Sequence, residues 1–288
     1  MLIKRYFRPR KNDLIYHYCS AETFHSICTN NTVRFSDLFS MNDFLEIHWG
    51  YQIWQKAANE IFDEVTEEFL NKVDEIISGS SLSFNFLASC FSLEGDVLSQ
   101  WRAYADDGNG YCIGFDARHI LGLPSTPLKV LYDEKKQIAE IIDILRKIYK
   151  FESEAKEDER YGKDFFEICA LLSADLTSFK NPAFKEEKEV RLIHILTFEE
   201  SNTYLKLVDK GGTYFGEDYD GQEVKFRMAK NLPIPYIDFN FINKNGDNPI
   251  KEVILGPKND SRLTAIAVYL ETLGIPNVKL RNSTASYR

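Results

Sequence analysis

The chain has 288 residues, of which 44% are hydrophobic and 14% aromatic, a composition that excludes a disordered protein. Lys plus Arg number 35 and Asp plus Glu 44, a formal net charge of −9, so non-specific binding to nucleic acid or to an anionic membrane is not expected. No stretch has the length of a transmembrane helix, and no apolar run of signal-peptide length follows the basic start from Lys4 to Lys11.

In chain order, Asp13 to Cys19 reads as a first strand, with Tyr16 and Tyr18 on one face and Ile15, His17 and Cys19 on the other. Ser20 is a natural cap for a short helix over 21–28, and 32–35 reads as a second strand. Asn42 or Asp43 caps a further helix that carries Trp49 and Trp54. Ile61, Phe62, Val65, Phe69, Val73 and Ile76 recur at helical spacing, which predicts one amphipathic helix over 56–78 and a loop over 79–83. Phe86 to Ser92 is apolar on both faces, the pattern of a central strand. A helix over 96–105 bears Trp101, Arg102 and Tyr104. The turn 106–110 then leads into a strand over 111–115. A strand is expected at 128–132, and helices at 133–151 and 164–176. The rest reads as β, apart from a helix over 261–273, and Pro233 and Pro235 suggest an edge strand.

The segment Phe184 to Leu196 reads as a strand that enters a buried sheet. Alternation would place Glu187, Glu189 and Arg191 on one face, with Lys188, Val190, Leu192 and His194 on the other. Two carboxylates ~7 Å apart beside a fixed cation suit a sugar hydroxyl or a proton transfer.

Strands and helices do not alternate regularly, and G-x-G-x-x-G, Walker and G-x-S-x-G motifs do not occur. The expectation is one α+β domain over 1–288 with a mixed, largely antiparallel central sheet and a helical insertion at 133–176. Cys19, Cys28, Cys90, Cys112 and Cys169 are widely spaced without C-x-x-C. This predicts reduced, mostly buried thiols in a cytoplasmic protein, and the scattered histidines predict no zinc site.

Several blocks together resemble an uncharacterised bacterial family, domain of unknown function 2971. They are Tyr16-His17-Tyr18 with Ser20; Asn42-Asp43 and Glu46; Cys90-Phe91-Ser92; Trp101, Tyr104 and Ala105 with Gly110 and Gly114-Phe115; Glu187, Glu189 and Arg191; Gly256-Pro257; and Tyr287-Arg288. The chain departs from the family pattern at Phe44, where a proline is common, and Phe184 stands in for the aromatic before the acidic block. The layout is similar to ADP-ribosyltransferase-type folds, although a Ser-Thr-Ser middle motif is not visible.

That likeness implies an NAD-consuming transferase or glycohydrolase with a small-molecule nucleotide as substrate and an unknown acceptor, in bacterial defence or stress. Glu189 is the implied main catalytic carboxylate and Glu187 orients the acceptor. His17 or Tyr18 binds NAD, Trp101 or Tyr104 stacks on nicotinamide, and Arg102 and Arg191 complete the cofactor-binding set. Two alternatives stand beside it. A metal-dependent nuclease would use Glu186 and Lys188 with Asp116 or Asp175. A non-catalytic ligand- or protein-binding module would use Glu187, Glu189 and Arg191 as a structural salt-bridge cluster.

Overall fold

The computed structural model describes residues 5–38 and 44–287; the expected cap at Asn42 or Asp43 and the terminal Arg288 lie outside them. The elements in chain order begin with β1 (Leu14–Cys19), α1 (Ala21–Asn30), β2 (Thr32–Asp37), α2 (Phe44–Glu60), α3 (Glu67–Ser83) and β3 (Phe84–Ser92). Then come α4 (Leu98–Tyr104), β4 (Tyr111–Asp116), α5 (Ala117–Ile120), β5 (Thr126–Lys129), α6 (Glu134–Glu154), α7 (Lys163–Leu176) and β6 (Glu189–Glu200). The chain closes with β7 (Leu205–Val208), β8 (Gly212–Tyr214), β9 (Glu217–Tyr219), β10 (Lys225–Ala229), β11 (Leu232–Asn240), β12 (Ile250–Leu255), α8 (Leu263–Thr272) and β13 (Lys279–Asn282). This is an α+β fold with a mixed, mostly antiparallel central sheet, as the sequence predicts. Among the described residues no helix is long and apolar enough to cross a membrane.

Three expectations need correction. The single helix over 56–78 is two helices, because Thr66 caps α3 by accepting from the Phe69 amide at 3.3 Å. The hydrophobic spacing hides the break: Ile61 before it and Phe69 after it both have 0% exposure. The residues expected as a loop over 79–83 are the last turn of α3. The strand expected from Phe184 begins only at Glu189. Asn181 accepts from the Ala183 amide at 2.9 Å and caps a 3-10 turn over Pro182–Glu187. Lys188 follows at φ 43, a left-handed residue that turns the chain into β6.

Eleven strands of the described residues form one sheet, whose main path is β10-β11-β2-β3-β1-β4-β12-β13. Among the paired strands of the described residues, β12 and β13 alone run parallel. Leu232–Pro235 pair with β10 alone, because β2 meets β11 only from Tyr236 onward. The two prolines, which lack an N–H, therefore sit where that strand has one open side.

The decisive feature of the sheet is at β3. One edge of β3 pairs with β6 over its whole length, from Phe84↔Thr197 to Ser92↔Glu189. The other edge is shared: β2 takes Leu87 and Ala88, and β1 takes Ser92. Between them Ser89, Cys90 and Phe91 have no strand partner on that side, so the sheet forks.

One core cluster covers the sheet face that carries Ile15, Phe35, Leu87, Phe91, Val190 and Leu192. A second belongs to the helices, where α6 and α7 bury Ile141, Leu145, Phe165 and Leu172 against Trp54, Phe69 and Val73 of α2 and α3. The cysteines are free, and all but the half-buried Cys90 are buried.

Three blocks of the family resemblance meet at the turn before β4. A Cβ on Gly110 would lie 2.1 Å from the Cys19 carbonyl oxygen, and one on Gly256 would lie 2.3 Å from that of Gly108. Tyr287 donates to Asp107 at 2.7 Å. Close backbone contact, rather than chemistry, requires these glycines.

Asp96 ties the start of α4 to the C-terminal strand. It accepts from Trp101 Nε1 at 2.8 Å, Ser283 Oγ at 2.5 Å and the Thr284 amide at 2.7 Å. Burial pushes its carboxyl up, but these hydrogen bonds outweigh burial and hold it at about 2. A carboxyl depressed from 3.8 contributes stability that is complete above that value and is lost as pH falls through about 2. Asp96→Ala is expected to lower the unfolding free energy by about 2 kcal/mol in urea denaturation at pH 7, with the difference shrinking toward pH 2.

Candidate functional site

The fork opens into a cavity of about 620 Å³. β1 and the first turns of α1 form one wall, β2 and β11 the other, and Ser89–Ser92 of β3 the floor. The segment from Lys180 to Arg191 closes one end. Cavities of this size suit a small molecule rather than a macromolecular surface.

At that end Lys180 is 3% exposed and Arg191 2% exposed, and both face carboxylates. Lys180 Nζ lies 2.5 Å from Glu187 Oε2 and 2.9 Å from Glu189 Oε2. Arg191 holds Glu189 in a two-pronged pair, Nε to Oε1 at 2.8 Å and Nη2 to Oε2 at 3.1 Å, and its Nη1 donates to the Thr177 carbonyl. The Glu189 amide donates to Tyr132 Oη at 2.9 Å. Glu187 accepts a further bond from Tyr104 Oη at 3.1 Å, and its carbonyl accepts from Ser92 Oγ at 2.7 Å.

Two acids and two cations cancel in charge, but the acids are not equivalent. Burial raises Glu189, and Arg191 and Lys180 overcome it, so its carboxyl lies well below the usual carboxylate range. Burial also raises Glu187, Lys180 only partly offsets it, and the net direction is up. Glu189 is a fixed anion within a buried network. Glu187 faces the cavity with raised basicity, the property a proton acceptor needs. Glu187 stands on the 3-10 turn rather than on the strand, so the expected i, i+2 alternation does not relate the two acids. Lys180 brings them together instead.

The structure brings most of the predicted residues to this cavity. Glu187, Glu189, Arg191, Tyr104, His17 and Tyr18 all line it. Tyr18 is committed, since its hydroxyl donates to Glu94 O at 2.9 Å and accepts from the Val97 amide at 3.0 Å. His17 Nδ1 lies 3.1 Å from Cys90 O, on the open edge of β3. Trp101 and Arg102 do not reach the cavity. Trp101 is fully buried beneath Tyr18, edge-on at 4.9 Å, with its N–H on Asp96. Arg102 lies 5.5 Å over the Tyr287 ring, at the C-terminal tail. The side of α4 that meets the cavity carries Gln100 and Tyr104 instead.

Sequence reasoning missed Lys180, Ser89, Arg34 and Arg227. Lys180 was open to a charge argument: two buried acids with one arginine leave an anion unbalanced, so a second cation is required. Arg34 pairs with Asp238 at 2.7 Å and lies 3.9 Å over Tyr236. Arg227 at the rim has no charge partner among the described residues. The residues expected of a nuclease are dispersed. Lys188 pairs with Glu94 at 2.7 Å, Glu186 accepts from Ser99 at 3.2 Å, Asp116 caps α5, and Asp175 is buried against Arg5.

Fold and cavity together define an α+β protein with a ligand-sized cleft at a forked sheet. Residues 100–192 match the family model described as Protein of unknown function (DUF2971), and over that segment the chain is similar to this family. The match takes in Tyr104, Lys180, Glu187, Glu189 and Arg191 but not β1 or β2. No curated protein and no solved structure matches the chain.

Removing one member of a buried ion network leaves an uncompensated charge. Lys180→Met is therefore expected to destabilise the fold by roughly 3–5 kcal/mol in denaturant unfolding. A change near zero would mean that the two carboxylates are not buried around this cation.

Proposed function

We propose that the cleft binds an NAD-type dinucleotide and that the chain cleaves its nicotinamide–ribose bond, passing the ADP-ribosyl group to water or to an acceptor. The observation that carries this reading is the asymmetric pair at the cleft end: one carboxylate locked as an anion, the other lining the cleft and raised in basicity by burial. The bond breaks with its electrons leaving on nicotinamide, and positive charge gathers on the ribose. Glu187, oriented by Tyr104 and Lys180, stabilises that charge and takes the proton of the attacking hydroxyl. Glu189 serves as the counter-ion that holds Lys180 and Arg191 in place, so the main catalytic role passes to Glu187. The cleft rim carries Arg34 and Arg227, cations suited to the phosphates of the same ligand.

A non-catalytic binding module is the second reading, favoured by the closed ion network at Glu189. The two separate on one variant. Glu187→Gln is expected to lower nicotinamide release from NAD by ~10²–10⁴-fold in a chain that still folds, with a lower melting temperature because one cation of the network is left uncompensated. Absence of nicotinamide release by the wild-type chain, across water and a panel of protein and nucleic-acid acceptors, would leave the binding module.

The raised Glu187 also sets a pH dependence. A base must be deprotonated to act, so the acid limb of kcat/KM is expected at a pH above the ordinary glutamate value of 4.5. An acid limb at or below that value in a pH–rate profile would remove Glu187 from the role.

A further inference from the structure

β7 and β10 are the end strands of one path through the sheet, β7-β6-β3-β2-β11-β10. Among the described residues β7 pairs with β6 alone and β10 with β11 alone, so each keeps one edge without a strand. Both border the same space: Leu205 to Val208 and Val224 with Phe226 line one groove of about 650 Å³. Asp209, at the end of β7, ties the two walls together. It accepts from the Gly211 amide at 2.9 Å and the Gln222 amide at 3.0 Å, and its carboxylate also meets His194. Side chains alternate faces along a strand, yet all four residues of β7 touch the groove. The groove therefore runs along the unpaired edge of β7 rather than over one face.

That edge is apolar on one side and cationic on the other. Leu205 is 44% exposed and Phe226 56% exposed, and they continue the face on which Leu207 and Val224 pack against the core. A row of backbone donors and acceptors beside uncovered apolar side chains is what a sheet edge offers to another extended chain. On the opposite face β7 carries Lys206, β10 carries Lys225 and Arg227, and neither strand has an acid. Lys206 meets Glu199 at 3.6 Å, and Glu223 is the acid on the β10 wall. The two strands are cationic in a chain of net charge −9, so they repel a second copy of themselves and attract an acidic strand.

We infer that the groove takes up an extended segment of a partner protein, added as a β-strand to the free edge of β7, with Val224 and Phe226 as the far wall. The segment is about as long as the four residues of β7. Its apolar side chains face Leu205 and Phe226 and alternate with acidic ones that face Lys206 and Lys225. Nothing in this groove depends on the dinucleotide proposed for the cleft.

A short blocked peptide alternating Val with Glu, compared with the same peptide carrying Lys in place of Glu, tests this on the full chain. Fluorescence anisotropy is expected to show the Val–Glu peptide binding at least ~10-fold tighter than the Val–Lys peptide. Hydrogen exchange of the amides in 205–208 is expected to slow when it is bound. Phe226→Glu and Lys225→Glu each change an exposed side chain, and each is expected to weaken the Val–Glu peptide by roughly 5- to 10-fold at an unchanged melting temperature. No binding of the Val–Glu peptide, equal binding of the two peptides, or binding that ignores both variants would overturn the assignment. A concentration-dependent dimer in sedimentation that Phe226→Glu dissociates would overturn it as well, since a second copy of the chain would then be the occupant.

Discussion

Everything distinctive about this protein follows from one unequal sharing of hydrogen bonds along β3. Its β6 edge is fully paired, while its other edge is divided between β2 and β1 with three residues left over. A sheet interior normally tolerates no such gap, because unpaired backbone groups away from water are costly. Here His17 satisfies the Cys90 carbonyl from the side, α1 bridges the two strands it connects, and the remaining space is the cavity. The site is thus made by the topology itself rather than by loops laid over a finished scaffold.

The ion network at the cleft end is the second consequence. β6 brings Glu189 and Arg191 to the buried side of the fork, and neither can be there alone. Lys180, arriving on the short connection from α7, supplies the missing cation and ties the strand to the turn that carries Glu187. The electrostatics then divide labour between the two glutamates: the one with two cations is locked as an anion, and the one with a single cation and a tyrosine is left with raised basicity.

Much of the sheet was legible in the sequence, because period-2 alternation and doubly apolar runs are direct consequences of strand geometry. β1, β3 and β4 lie within two residues of their expected limits, and Ser20 caps α1 as expected. The same reading failed where one periodicity could continue through a break, as between α2 and α3. It failed again where an Asn-Pro start and a left-handed Lys188 replaced a strand. At the site, the paired acids and the aromatic–histidine strand stood out because such residues are unusual at buried positions. Trp101 and Arg102 misled, since an arginine beside aromatics looks the same on a helix that packs and on one that binds. Lys180, Ser89 and Arg227 gave little local signal: their importance arises only when the fork joins distant segments, which no local pattern records.

The most direct measurement of the central claim is hydrogen–deuterium exchange of the intact chain with and without NAD. If the fork is the binding site, exchange slows in residues 14–23, 32–36 and 88–92, around the unpaired edge of β3, while α2 and α3 are unaffected. Unchanged exchange at β3, or slowing confined to the helices, would contradict it.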